Sequence, residues 1–120
     1  MNIGKTGGMG ESLTAEFLRK NGYTVVKRNY HCRYGEIDII AENREYIIFT
    51  EVKTRREDSL VSPAEAVDLH KQRRIILTAE DFLSKCETAL QPRFDVAEVT
   101  VFKKTDGTDG YKLHYIKNAF

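Results

Sequence analysis

Three residues in two adjacent stretches have the types that divalent-cation chemistry needs. Asp38 interrupts the apolar run Ile37-Asp38-Ile39-Ile40, and Glu51 and Lys53 end the run Tyr46-Ile47-Ile48-Phe49-Thr50-Glu51-Val52-Lys53. Both runs are rich in β-branched and aromatic residues, so each is a predicted strand. Side chains alternate faces along a strand, which sets Glu51 and Lys53 on one face in line with Ile47 and Phe49. With a two-residue turn at Asn43-Arg44, Asp38 pairs with Phe49 and lies diagonal to Glu51. Their Cβ atoms are then roughly 7–8 Å apart, or about 5 Å after a small register shift. Two carboxylates brought together in an apolar setting repel, so one takes a proton or both hold something positive. Magnesium accepts such oxygen ligands and keeps several waters for phosphate chemistry, and Lys53 is placed to neutralise charge developing on a phosphate. A structural network of Asp38, Lys53 and Glu51 meets the same spacing, so spacing alone leaves both arrangements open.

Glu11 favours the cation. Its neighbours on a helical wheel are Ala15 and Leu18, whereas Ser12, Glu16, Arg19 and Lys20 fill the opposite face. A glutamate on a packing face is costly unless it meets a cation or hydrogen-bond donors. A second predicted helix repeats the pattern with the opposite sign. Val67, Lys71, Ile75, Ala79 and Leu83 form an i+4 series with one lysine inside it, and that lysine can also snorkel to solvent.

These side chains need a scaffold. The pattern predicts a helix over residues 8–21 ended by Gly22, strands over 23–30, 36–42 and 46–53, and a polar loop over 54–61. Ser62-Pro63-Ala64-Glu65 has the form of a capping box with proline at the first helical position, opening a helix to about Lys85 with a break near Asp68. Residues 93–103 form a further strand, 106–110 a turn, and 111–116 an edge strand. The order α-β-β-β-α-β-β predicts a mixed central sheet flanked by helices in a three-layer α/β fold.

Length and charge narrow the classes. The chain of 120 residues is long enough for one core, so one domain over residues 1–120 is expected. No apolar stretch reaches the ~20 residues that span a bilayer, and residues 1–10 lack the apolar centre of a secretory signal. Cys32 and Cys86 stand far apart without a CxxC partner, which suits two reduced thiols in a cytoplasmic protein. A net charge of +1 would argue against nucleic-acid binding, but the basic residues are grouped. Arg28 with Lys27 and Arg33, Lys53 with Arg55 and Arg56, and Lys71 with Arg73 and Arg74 each form a cluster, although any one cluster alone fits a solvated surface. His31, His70 and His114 lack zinc-site spacing. Gly4-Lys5-Thr6 follows neither a strand nor an earlier glycine, so it is not a nucleotide-binding loop. Glu36 can reach the site or merely end its strand. Tyr30 and Tyr34 are read as core or rim side chains in preference to base-stacking platforms.

Asp38 followed by Glu51-Val52-Lys53 resembles the PD-(D/E)xK signature of the restriction-endonuclease-like superfamily. More closely, the chain is similar to the YraN family of predicted endonucleases, related to Holliday junction resolvases. The likeness runs through Gly10-Glu11, Gly22-Tyr23, Arg28-Asn29-Tyr30, Gly35-Glu36-Ile37-Asp38, Glu51-Val52-Lys53, Lys71-Gln72, Arg93-Phe94-Asp95-Val96 and Asn118-Ala119-Phe120. Ile37 departs from the signature's proline, and Thr50 stands where a larger aliphatic residue is usual. The resemblance implies that Asp38 and Glu51 are metal carboxylates, that the Val52 carbonyl adds a ligand, and that Lys53 is the catalytic lysine. It further implies that Glu11 supports the metal or its water and that Lys71 or Gln72 contacts phosphate.

The expected function is a metal-dependent endonuclease using magnesium or manganese on DNA, branched DNA included, with Arg55, Arg56, Lys71, Gln72, Arg28 and Arg33 meeting the nucleic acid. The alternatives are a nucleic-acid-binding accessory protein that keeps the fold without catalysis, and a structural ion-pair network in a protein that binds another protein. Symmetric cutting of two strands would call for a homodimer, for which the edge strand over 111–116 and Asn118-Ala119-Phe120 offer a surface; the latter can equally tuck into its own core.

Overall fold

The computed structural model describes residues 2–57 and 67–120, with side chains from Gly8 onward. The elements run α1 (Asn2–Lys20), β1 (Thr24–Cys32), β2 (Gly35–Glu42), β3 (Tyr46–Arg56), α2 (Leu69–Leu83), β4 (Gln91–Lys103) and β5 (Asp109–Ile116). This is the α-β-β-β-α-β-β order that the hydrophobic pattern predicts. The five strands form one sheet in the order β1-β2-β3-β4-β5. Only β3 and β4 are parallel, and α2 lies in the crossover between them. Ala15 and Leu18 of α1 pack with Ile39, Ala41 and Ile48 on one face. Ile75 and Ala79 of α2 pack with Ile40, Ile47, Phe49 and Val96 on the other. The layers are therefore helix, sheet, helix.

Helix α1 ends as its glycine predicts. Gly22 has φ +88, the Tyr23 amide donates to Leu18 at 2.9 Å, and the Gly22 amide donates to Arg19 at 3.2 Å. The helix starts earlier than residue 8 because its glycines do not stop it. Gly10 in particular is needed for close packing, since a Cβ there would lie 2.2 Å from Thr54 Oγ1. The predicted Asn43-Arg44 turn is corrected by one residue. Asn43 Oδ1 accepts from the amides of Glu45 and Tyr46, and the Asn43 amide donates to Tyr46, so Arg44-Glu45 make the turn. The register becomes Ile39↔Thr50 and Ile40↔Phe49.

Two further boundaries move. Thr54, Arg55 and Arg56, expected in a polar loop, continue β3 because β4 pairs with them as far as Arg56↔Val101. Helix α2 begins at Leu69, where the Asp68 side chain caps it by accepting from the Lys71 amide at 2.8 Å. The capping box at Ser62-Pro63-Ala64-Glu65 lies outside the described residues, as does the rest of the expected loop beyond Glu57.

Asn118-Ala119-Phe120 folds back onto its own sheet. The Ala119 amide donates to Phe94 at 2.7 Å, and the Phe120 ring stacks on Phe94 at 5.3 Å. The Phe120 ring is thus tucked against its own core, while Asn118 and Ala119 remain exposed. On the α1 face, Arg93 and the fully buried Asp95 form a bidentate pair at 2.8 and 2.9 Å. Tyr115 donates to Asp95 at 2.6 Å, and Arg93 donates to the Tyr23 hydroxyl at 2.9 Å. Burial of so much polarity is tolerable because each charged group is met by several partners. Among the described residues no helix is long and apolar enough to cross a membrane.

Candidate metal centre

The site forms where β2 leaves β3. The ladder between them ends at Ile39↔Thr50, one step before Asp38 and Glu51 would face each other. At that step β2 turns over. Ile37 and Ile39 would share a face in a regular strand, yet Ile39 packs under α1 and Ile37 under α2. Across β1, Asn29 interrupts the pairing between Arg28↔Ile39 and Tyr30↔Ile37 with φ 54. Asp38 therefore projects into the gap, where its Oδ2 accepts from the Val52 amide at 2.7 Å. In an extended strand the N–H and C=O of a residue point to the same side. The Val52 carbonyl thus faces the same gap as the Asp38 carboxylate.

Glu51 closes the group. Its side chain is 9% exposed and pairs with the Lys71 ammonium, which reaches over from the first turn of α2. Burial pushes the Asp38 carboxyl up to about 7; the adjacent Glu51 charge adds to this and the Glu11 charge adds less, while the Val52 amide opposes it. Burial alone would lower the Lys71 ammonium, but Glu51 and then Asp38 outweigh it and leave it raised. A cavity of about 550 Å³ opens onto Asp38, Glu51 and Val52, with Lys71 and Arg74 on its helical wall and Glu36 at its edge.

The donor set fits a hard divalent ion. Two carboxylates and a carbonyl facing one gap supply oxygen ligands, which suits magnesium or manganese. Among the described residues no three His, Cys, Asp or Glu side chains form a ready-made cage. An ion held here would take its remaining ligands from water or phosphate, the usual habit of magnesium.

The other predicted residues are distributed around this centre. Lys53 follows Glu51 by two on β3, half-buried and in register with Glu98 of β4. Glu11 does not line the cavity; it pairs with Arg28 at 3.5 Å, and the Arg28 guanidinium also reaches Ser12 at 3.5 Å. Gln72 spends its amide on the Val67 carbonyl at 2.7 Å. Arg33 donates to the Tyr34 hydroxyl at 2.8 Å at the β1–β2 turn. Arg55 and Arg56 alternate across β3, and Arg56 lies 3.5 Å from Asp109 of β5. Tyr30 packs against the core edge-on to Phe82 and donates its hydroxyl to Asp81.

Three wall residues were not picked out in the sequence. By pattern alone Asp68 marks a helix break, His70 lacks zinc-site spacing, and Arg74 belongs to a basic group. Arg74 lies one turn beyond Lys71, and its Nε donates to the Tyr34 carbonyl at 3.2 Å. The i+3 spacing from Lys71 was the available signal.

A model for a family described as an uncharacterised protein family, UPF0102, matches residues 10–99. A UPF0102 protein of Clostridium acetobutylicum is 43% identical over 117 residues, covering 97% of this chain and 93% of that protein. One from Caldanaerobacter subterraneus subsp. tengcongensis is 38% identical, covering 100% of this chain and 98% of its own length. One from Caldicellulosiruptor saccharolyticus is 41% identical over 121 residues, with both chains covered in full. The chain belongs to the UPF0102 family, the YraN-like group that its motifs resemble.

Proposed function

We propose that this protein is a metal-dependent endonuclease that hydrolyses phosphodiester bonds in DNA, with branched DNA such as a Holliday junction among its substrates. The observation that carries the reading is the Asp38 carboxylate, held by the Val52 amide, beside Glu51. Clustered acids facing a phosphate would only repel it, so binding alone gives no reason for them. A magnesium or manganese ion bound here would supply Lewis acidity and a more acidic water. Asp38 and Glu51 would hold the ion, with Val52 contributing through its backbone. Lys53, beside Glu51 on β3, stabilises charge on the phosphate. Lys71 neutralises Glu51 and lies on the cavity wall, where its ammonium would also meet a phosphate. Arg74 and Arg55 extend positive charge away from the acids.

The Lys71–Glu51 pair supports a second reading, a protein that keeps the fold and binds nucleic acid without cutting it. Incubation with linear, branched and single-stranded DNA in magnesium or manganese separates the two. Cleavage that is lost in Asp38→Asn and Glu51→Gln supports the nuclease. Binding without cleavage in either metal favours the accessory role. Cleavage that survives both substitutions means that the nuclease activity does not come from this site.

A further inference from the structure

We propose that the outer face of α2 is a self-complementary surface on which a second copy of this chain packs its own α2 antiparallel. Leu69, Arg73, Ile76, Leu77 and Glu80 follow one another at i, i+4, i+7, i+8 and i+11, so they form one stripe along the helix. Ile75, Thr78 and Ala79 bury the opposite side against the sheet. Leu69 is 76% exposed, Ile76 37% and Leu77 36%, and the three line a shallow groove with Arg73 and Glu80. A single exposed leucine is ordinary, but three large apolar side chains along one helical stripe form a patch.

The charges identify the occupant. Arg73 stands three residues before Ile76, and Glu80 stands three residues after Leu77. A two-fold axis passing between Ile76 and Leu77 sets Arg73 of each copy opposite Glu80 of the other, so the pair forms twice. The same axis lays Ile76 against Leu77 of the partner and Leu69 over Ser84 of the partner. A two-fold interface requires a patch that is its own complement, and this stripe meets that condition in its charges and in its central Ile76 and Leu77. Among the described residues neither Arg73 nor Glu80 is in an ion pair, so both remain available for the contact. A helix of 15 residues on its twin reaches the small end of specific interfaces, about 1,000 Å² in total, the size class of weak and transient association. The surface is independent of the metal reading, because it lies on the other side of α2 from the cavity.

Sedimentation equilibrium from about 1 µM to about 500 µM tests it, bracketing the expected range. The wild-type mass should rise from 13.8 kDa toward twice that value. Arg73→Glu and Glu80→Arg each place like charges opposite one another twice, and each should weaken association about tenfold or more. Both positions are exposed, so circular dichroism should show unchanged helix content. An equimolar mixture of the two variants should recover wild-type association, because the two substituted side chains then meet with opposite charge. A wild type that stays monomeric at the highest concentration overturns the proposal. So do single variants that associate like wild type, or a mixture no better than its components.

Discussion

The Val52 amide donates to Asp38 Oδ2 at 2.7 Å across the point where β2 and β3 part. In a continuous ladder that amide would bond to a backbone carbonyl of β2. A side-chain carboxylate takes the carbonyl's place, which ties the position of Asp38 to the backbone of the strand that carries Glu51. Glu51, one residue earlier on β3, is then held beside Asp38 by the same backbone. The site's geometry is thus fixed by where the strands diverge, and less by the side chains' own preferences.

The first prediction concerns pH. The Asp38 carboxyl is raised to about 7 by burial and by Glu51, above the ~4 of an unfolded chain. The folded protein then holds a proton that the unfolded chain releases. That contribution is full below about pH 4 and is lost as pH rises through about 7, a swing of up to about 4 kcal/mol. Asp38→Asn keeps an acceptor for the Val52 amide and should flatten this part of the profile in metal-free protein. Urea unfolding at about pH 5 and about pH 8 measures it, since these values bracket most of the titration. A variant several kcal/mol less stable than wild type at the higher pH would point to a structural ion-pair network.

How much of this was legible in the sequence varies by residue. Alternation along the strands and the apolar stripes of the helices were enough for the element order, because period and burial are local properties of the chain. Gly22 ended α1 for the same local reason. The turn slipped by one residue because Asn43 caps it with its side chain, a bond that composition does not distinguish from Asn43 occupying the turn itself. That slip moved Asp38 from a diagonal to a lateral relation with Glu51. The polarity of Arg55 and Arg56 suggests a loop; β4 pairing, a contact from about 45 residues away, keeps them in the strand. Asp38, Glu51 and Lys71 stood out as charges in apolar surroundings. Asp68 and Arg74 did not, because a helix N-terminus and a basic face look ordinary without the cavity they border.

The second prediction concerns the ion. Glu51→Gln keeps size and hydrogen bonding while removing a charge, so calorimetric manganese binding should be lost or greatly weakened with the fold intact. Lys71→Met removes the ammonium that competes for Glu51 and should tighten manganese binding by about threefold to tenfold. Equal binding by wild type and Glu51→Gln would move the ion elsewhere. Weaker binding in Lys71→Met would mean that the lysine orders Glu51 and does not compete with the ion.

The third concerns the path of DNA. Arg55 shares the Glu51 face of β3 by alternation, whereas Arg56 lies on the other face near Asp109. Arg55→Ala should lower the salt dependence of DNA binding by a slope of about 1, one phosphate contact, while Arg56→Ala leaves it unchanged. Fluorescence anisotropy across a salt series reads this directly. Equal slope changes in the two variants would put the DNA across the strand end and not along the cavity face.

The last concerns residues 118–120, which bind the sheet at three points. The Asn118 amide donates to Asp95 at 2.9 Å, the Ala119 amide donates to Phe94, and the Phe120 ring stacks on Phe94. Deleting them uncovers Phe94 and removes one of the donors that satisfy the buried Asp95 carboxylate. The loss of an aromatic stack and of a hydrogen bond to a charged group should cost about 2–4 kcal/mol and lower Tm by on the order of 10 °C. The Arg93–Asp95 pair should keep the rest of the network in place, so the truncated chain still folds. Its association at high concentration should match that of the full chain, because the α2 stripe is untouched. Differential scanning calorimetry and sedimentation on one sample report both quantities. Unchanged Tm with lost association would show that these residues serve contact between copies and not the chain's own core.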